Sequence, residues 1–250
     1  MGDRGESSPR DARAAIEVAE VQRVLLPAEL PSHPNWALAS HYEPCDASGG
    51  DFYGFQEGLD GELLMLVADV SGHGARAAVV MAMLRAWLEA LRTFERAAED
   101  VPTDINRLLC RVSELGVFAT GVFVKLDRNS GAVRYVNCGH PLPRVIRAQG
   151  SVELLTGGRC LPLGVRDQLG LQEPGDVQLH PGDSLVIFTD GITEAPNAHA
   201  ELFDDARLDA ALLKGGTPCE MVHRVLTSVR DFRQGAARED DECMLVVQRR

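Results

Sequence analysis

A set of aspartates in this 250-residue chain stands where chemistry could be done. Leu63-Leu64-Met65-Leu66-Val67-Ala68 runs into Asp69-Val70-Ser71-Gly72-His73-Gly74, and Ser184-Leu185-Val186-Ile187-Phe188-Thr189 runs into Asp190-Gly191. An apolar run bounded by turn residues reads as a buried strand. A carboxylate at the mouth of such a strand is costly unless a cation meets it. Asp51, after Gly49-Gly50, and the pair Asp240-Asp241 stand at the ends of further strand candidates. Each of these residues alone reads more readily as a turn or a solvated charge than as a ligand. Their coincidence suggests one shared cation site. Two carboxylates about 4 Å apart repel by roughly 4 kcal/mol at an effective dielectric near 20, so either their pKa values rise or cations bind. All-oxygen ligation selects hard ions, Mg²⁺ or Mn²⁺, over zinc. A pair of such ions bridged by a carboxylate holds an activated water and neutralises a phosphoryl group. That chemistry needs no nucleophilic side chain, and the chain has no GxSxG elbow, P-loop lysine motif, HxH or HExxH spacing.

The elements that must position these residues follow from the pattern. Residues 1–13 are Gly-, Ser-, Pro- and charge-rich and read as disordered. Residues 14–26 carry Ile16, Ala19, Val24 and Leu26 at helical spacing up to Pro27. That helix is too short to stand alone, so 14–27 reads as a linker or dimerisation helix ahead of a domain at 28–250. Strands are expected over 37–42, 51–56, 62–68, 118–127, 132–137, 143–147, 152–155, 184–189 and 244–247. Helices are expected over 75–98, from a Thr103 cap to 115, and from the capping box Thr217-Pro218-Cys219-Glu220 to about 233. Asn129-Ser130-Gly131 signals a hairpin. Ala77, Met81, Leu84 and Leu88 read as a core-facing stripe. Strands joined by short turns, with helices inserted in pairs, favour antiparallel sheets covered by helices, an α+β layered fold.

The chain fits one large domain with a sizeable core. Its net charge of −12 argues against nucleic acid or an anionic membrane as partner and fits a basic protein surface or a metal-filled acidic pocket. No run approaches a membrane span, and residues 1–13 lack an apolar signal core. The six cysteines show no CxxC spacing and read as free thiols of a reducing cytoplasm.

Six motifs occur in order: Gly49-Gly50-Asp51-Phe52-Tyr53, Asp69-Val70-Ser71-Gly72-His73-Gly74, Asn137-Cys138-Gly139-His140-Pro141, Pro162-Leu163-Gly164-Val165, Thr189-Asp190-Gly191-Ile192-Thr193-Glu194-Ala195 and Asp240-Asp241. With the lead-in Gln22-Arg23-Val24-Leu25-Leu26-Pro27, they resemble the bacterial metal-dependent (PPM-type, protein phosphatase 2C-like) serine/threonine phosphatases of the sporulation-protein-E and RsbU type. The resemblance covers about residues 15–250.

It implies an α-β-β-α sandwich of two antiparallel sheets with two Mn²⁺ or Mg²⁺ ions at one end. By motif, Asp69 would bridge both ions, Asp51 and the Val70 carbonyl would bind one, and Asp190 and Asp240 would complete the other; Asp241 ranks below Asp240. Asp69 and Asp190 are the catalytic candidates, and a metal-bound hydroxide would attack phosphorus in line. His73 reads either as the acid that protonates the leaving serine oxygen or as a turn histidine. His140 reads as structural and Glu194 as a helix-start carboxylate, with a place in the metal shell as its alternative. Gly54 stands where the family usually carries another Asp, and Cys243 where a Thr usually follows the terminal pair. The implied substrate is a phosphorylated regulator, a STAS-type anti-sigma-factor antagonist, with an upstream sensor or activator and a homodimer among the expected partners. The alternatives are a non-catalytic partner-binding module of the same fold and a two-metal hydrolase of small phosphoesters.

Overall fold

The computed structural model describes residues 9–58, 61–72, 74–90, 100–111 and 116–250. Two sheets form its centre. The first has the order β1 (Trp36–Glu43), β11 (Glu242–Arg249), β10 (Ser184–Phe188), β6 (Arg144–Arg147), β7 (Ser151–Leu154). The second runs β2 (Asp51–Glu57), β3 (Glu62–Val70), β4 (Ala119–Asp127), β5 (Ala132–Cys138). The far edge of β5 is shared by β8 (Arg159–Cys160) and β9 (Gly175–Gln178). Every pairing is antiparallel except the short parallel contact of β5 with β8. Among the described residues six helices accompany the sheets: α1 (Pro9–Leu25), α2 (Ala75–Ala90), α3 (Asp100–Arg111), α4 (Asp190–Thr193), α5 (Asp204–Leu212) and α6 (Pro218–Arg233).

Period-two alternation builds the layers. On β3, Leu63, Met65 and Val67 join Tyr53, Leu185, Leu245 and Val247 in the core between the sheets. The alternate residues Leu66, Ala68 and Val70 pack with Ala77, Met81, Leu84 and Leu88 of α2 and with Ile105 and Leu109 of α3. On the other side, Val186, Phe188, Met244 and Val246 meet Leu208 of α5 and Met221, Val225 and Val229 of α6. Three apolar clusters therefore separate four layers, the expected α-β-β-α sandwich. No described helix is long and apolar enough to cross a membrane.

Several element boundaries differ from the sequence reading. The first helix begins at Pro9, a residue suited to a helix's first position. It leaves Ile16, Val21 and Val24 exposed while Gln22 is buried. Thr103 does not cap α3, which starts at Asp100 and has Pro102 in its first turn. The segments 91–98 and 112–115, to which those two helices were expected to extend, lie outside the described residues. The α6 capping box is present as read, with Thr217 and Glu220 bonded reciprocally. The Asn129-Ser130-Gly131 turn joins β4 to β5, with Gly131 at φ +82°. The strands β8 and β9 and the helices α4 and α5 carry too little period for sequence reading. The cysteines are all free, but Cys138 and Cys243 alone are buried, and Cys219 is exposed.

Gly54 has a local explanation. It lies on the α2-facing side of β2, next to Phe52, and a Cβ there would stand 2.6 Å from Leu88 Cδ2 and 2.9 Å from Phe52 Cζ. Asp51 faces the opposite side of the strand. Gly54→Ala is therefore expected to cost about 1–3 kcal/mol through overpacking while leaving Mn²⁺ affinity unchanged. Urea denaturation and calorimetric titration of the same variant check both halves.

Candidate metal centre

The strand parities decide which carboxylates meet. Asp69 lies within β3, not in the turn after it, because the strand continues to Val70. It therefore shares the inter-sheet face of Leu63, Met65 and Val67. Asp51, at the start of β2, is its direct cross-strand partner. Thr189 follows β10 on the inter-sheet side, and Asp190 opens α4 immediately after it. Asp240 and Asp241 precede β11, the strand paired with β10. One end of the sandwich thus collects aspartates from β2, β3, α4 and the segment before β11.

Burial and the neighbouring carboxylates act together on these groups. Burial, then Asp69, pushes Asp51 well above the usual carboxylate range, against the opposing pull of the Thr189 hydrogen bond. Burial, then Asp190, Asp240 and Asp241, raises Asp69 to about 7. Asp190 is raised by burial and by Glu194. Asp240 is raised by burial and by Asp190 and Asp241, partly offset by the Asp241 amide. A cleft of about 210 Å³ opens onto Asp69, Val70, Asp240 and Asp241, rimmed by Cys45, Asp46, Ser48, Ser71, Gly72 and Glu239. Among the described residues lining it, none is basic. Clustered carboxylates without a cationic side chain are the donor set that hard divalent ions select, so these residues fit such ions. No three of these carboxylates bring an oxygen each within 4.8 Å of one another.

A second acidic group contrasts with the first. His41, Glu43 and Glu242 approach within 4.8 Å, but Arg238 lies 2.7 Å from Glu43 and 3.7 Å from Glu242, and Arg233 also pairs with Glu242. That group already carries its counter-charge.

Asp241 and Asp240 divide their roles. Asp241 is buried, and its carboxylate accepts backbone N–H bonds from Cys45 (2.7 Å), Gly50 (2.5 Å) and Asp51 (3.3 Å). It fixes the loop that carries Asp51. Asp240 is exposed to the cleft and accepts only the Asp241 amide, at 2.8 Å. The glycines serve this packing. A Cβ on Gly49 would collide with the Asp241 carboxylate, one on Gly50 with the Val70 carbonyl, and one on Gly191 with the Asp241 carbonyl.

Two positioning residues went unread in the sequence. The Thr189 hydroxyl donates to Asp51 Oδ2 at 2.6 Å and accepts the Cys243 N–H at 3.0 Å, which ties β10 and β11 to β2. Gln22 of α1 grips Gly49: its Nε2 donates to the Gly49 carbonyl at 2.6 Å and its Oε1 accepts the Gly49 N–H at 3.1 Å. A buried amide on a helix of exposed apolar residues was its only signal. His140 is structural, as read: it is buried, bonds Thr120 Oγ1 through Nδ1 at 2.7 Å, and burial holds its pKa down at about 3. Glu194 is corrected, since it caps the C-terminus of α4 and does not open a helix. His73 lies outside the described residues.

The layered architecture is the PP2C-type fold, as the solved structures below show. The Stage II sporulation protein E (SpoIIE) family model matches residues 59–250, and the chain belongs to that family. The phosphoserine phosphatase RsbP of Bacillus subtilis (strain 168) is 25% identical over 217 residues, covering 84% of this chain and 51% of RsbP. The chain thus spans about half the length of that relative. Among solved structures, the SiaA-PP2C domain of Pseudomonas aeruginosa superposes with a TM-score of 0.80 at 21% identity, covering 96% of this chain and 97% of that one. RsbX in complex with magnesium gives a TM-score of 0.68 at 16% identity, covering 89% of this chain and 99% of that one.

Two outcomes follow from the geometry. Asp241→Asn is expected to destabilise the metal-free protein by about 1–3 kcal/mol, because one of its oxygens becomes a donor facing N–H groups, whereas Asp240→Asn leaves it equal or more stable. Denaturation of both variants in EDTA decides this. The second concerns pH. Asp69 ionises near 3.8 when unfolded and at about 7 when folded. Its contribution to stability is therefore full below pH 3.8 and is lost as pH rises through about 7. Bound divalent ions cancel that loss, so the melting-temperature gap between Mn²⁺ and EDTA samples should widen from about pH 5.5 to about pH 7.5.

Proposed function

We propose that this chain is a Mn²⁺/Mg²⁺-dependent phosphoprotein phosphatase. It removes phosphate from a phosphoserine or phosphothreonine of a regulatory protein, a STAS-type anti-sigma-factor antagonist. The observation that carries this reading is the gathering of Asp51, Asp69, Asp190 and Asp240 at one end of the sandwich, each with its pKa raised, beside a cleft that Asp69 and Asp240 line and that has no basic lining residue among those described. Asp69 would hold both ions, Asp51 and the Val70 carbonyl one of them, and Asp190 and Asp240 the other. Two ions bound there would supply an activated water and charge neutralisation for phosphoryl transfer.

The chain's own residues set up that chemistry. Thr189 holds the Asp51 carboxylate in one orientation through its 2.6 Å hydrogen bond. Asp241 orders the Cys45–Asp51 loop through backbone amides, which makes it a positioning residue in this reading. Gly50 leaves the Val70 carbonyl uncovered. The cleft is shallow and polar-rimmed, which suits a phosphorylated side chain on a protein surface more than an enveloped small molecule. The exposed Ile16, Val21 and Val24 of α1 support a second copy or an activator docking there.

The partner-binding module drew on Gly54 and Cys243. Gly54 faces α2, and Cys243 is buried with its N–H held by Thr189, so neither residue removes a carboxylate from the cleft. Purified protein with Mn²⁺ is expected to hydrolyse p-nitrophenyl phosphate and a phosphorylated antagonist. Asp69→Asn and Asp190→Asn should each lower kcat by more than about 100-fold, at least as much as loss of an outer-shell metal partner costs. Unchanged rates in both variants would overturn the assignment.

A further inference from the structure

Cys138 and Cys160 lie outside the acidic centre and have no part in the proposed reaction. They are register partners where β5 runs parallel to β8. The Cys160 thiol donates to the Cys138 sulfur with 3.3 Å between the two sulfurs. Neighbouring strands stand about 4.8 Å apart, inside the roughly 4.4–6.8 Å Cα separation that a disulfide spans. A bond of about 2.05 Å then needs the sulfurs to close by about 1.2 Å.

The two environments differ in a useful way. Cys138 is fully buried in the cluster beneath α2 and α3, and Cys160 sits partly exposed at the margin of that cluster. Burial pushes the Cys138 thiol up, while its contact with the Cys138 sulfur draws the Cys160 thiol down. The accessible sulfur is thus the one a peroxide reaches first, with the buried sulfur beside it, which is the division between an attacking and a resolving cysteine.

We propose that Cys138 and Cys160 form a redox-active dithiol, a modification site that closes to an intramolecular disulfide on reaction with a peroxide. The Cys160 thiolate attacks one peroxide oxygen, the O–O bond breaks, and the departing hydroxide takes a proton to leave as water. The Cys138 sulfur then attacks the Cys160 sulfenic acid, the S–O bond breaks, and a second water leaves. Two thiols lose two electrons, and one peroxide becomes two waters.

The crosslink falls at the metal end of the second sheet. Cys138 lies opposite Gly121, which lies opposite Ala68, the residue before Asp69. The strand β8 is two residues long, and beyond it Leu163 exchanges both backbone hydrogen bonds with Ala119, at 3.0 and 2.8 Å. Closing the disulfide fastens this thinly held edge to β5.

The full chain, reduced and then treated with one equivalent of hydrogen peroxide, tests the proposal. Of six thiols, two should become unreactive to alkylation under denaturing conditions. The product should be lighter by two hydrogen atoms, yield a Cys138–Cys160 cross-linked peptide, melt at higher temperature and revert with dithiothreitol. Cys138→Ala should trap a sulfenic acid on Cys160 that dimedone captures, and Cys160→Ser should give no crosslink. The proposal fails if the Cys138→Ala/Cys160→Ser double variant loses thiols as fast as the wild type. It also fails if Cys160 advances to the sulfinic acid while Cys138 stays free.

Discussion

Burial of neighbouring, mutually repelling carboxylates at one end of the sandwich is the constraint on which the rest of the structure depends. Asp51 and Asp69 are cross-strand neighbours on a face otherwise filled by Leu63, Met65 and Val67. An apolar interior offers such charges no screening, and no cationic side chain lines the described part of the cleft. Burial first, and the neighbouring carboxylates after it, push Asp51, Asp69, Asp190 and Asp240 above the usual carboxylate value. The apolar clusters on both sides of each sheet must supply enough stability to hold these groups together.

Neutral hydrogen bonds fix the positions that charge would otherwise scatter. Thr189 is the hinge of this network: its hydroxyl accepts from β11 and donates to Asp51 on the opposite sheet. Gln22 extends the network to α1, since it satisfies both backbone groups of Gly49, two residues before Asp51. Its Nε2 also lies 3.2 Å from Met81 Sδ on α2. A shift of α1 therefore reaches the Asp51 loop and α2 through one side chain. Close backbone approach is the other requirement, and Gly49, Gly50 and Gly191 meet it by lacking a Cβ where an oxygen already sits.

Much of this was legible in the sequence, for identifiable reasons. Long apolar runs such as 63–68 and 184–188 mark buried strands whatever their tertiary partners. The Thr217 capping box is a local interaction that needs no fold to be recognised. The convergence of the aspartates followed from their shared position at strand ends. The short elements β8, β9 and α4 were not legible, because two to four residues carry no period. The burial of Gln22 was hidden because α1 presents Ile16, Val21 and Val24 outward, so its apolar spacing pointed to the wrong face. The Thr103 cap failed because Thr103 lies inside α3, and cap-type residues occur within helices as well.

The terminal aspartate pair shows how the fold, not the residue type, assigns the chemistry. Asp240 and Asp241 are chemically identical and adjacent, and adjacent residues approaching a strand point to opposite sides. Asp241 has the parity of Cys243 and Leu245 and so enters the space between the sheets, where three amides meet it. Asp240 is left facing the cleft with only its neighbour's amide as a partner. A one-residue change in the register of β11 would exchange them, placing the loop-ordering carboxylate in solvent and the cleft carboxylate against the backbone. The pairing of β11 with β1 along eight positions, and with β10 along five, is what prevents that exchange. The stability of the central strands is therefore the means by which one carboxylate stays open to the cleft while the other holds the loop beside it.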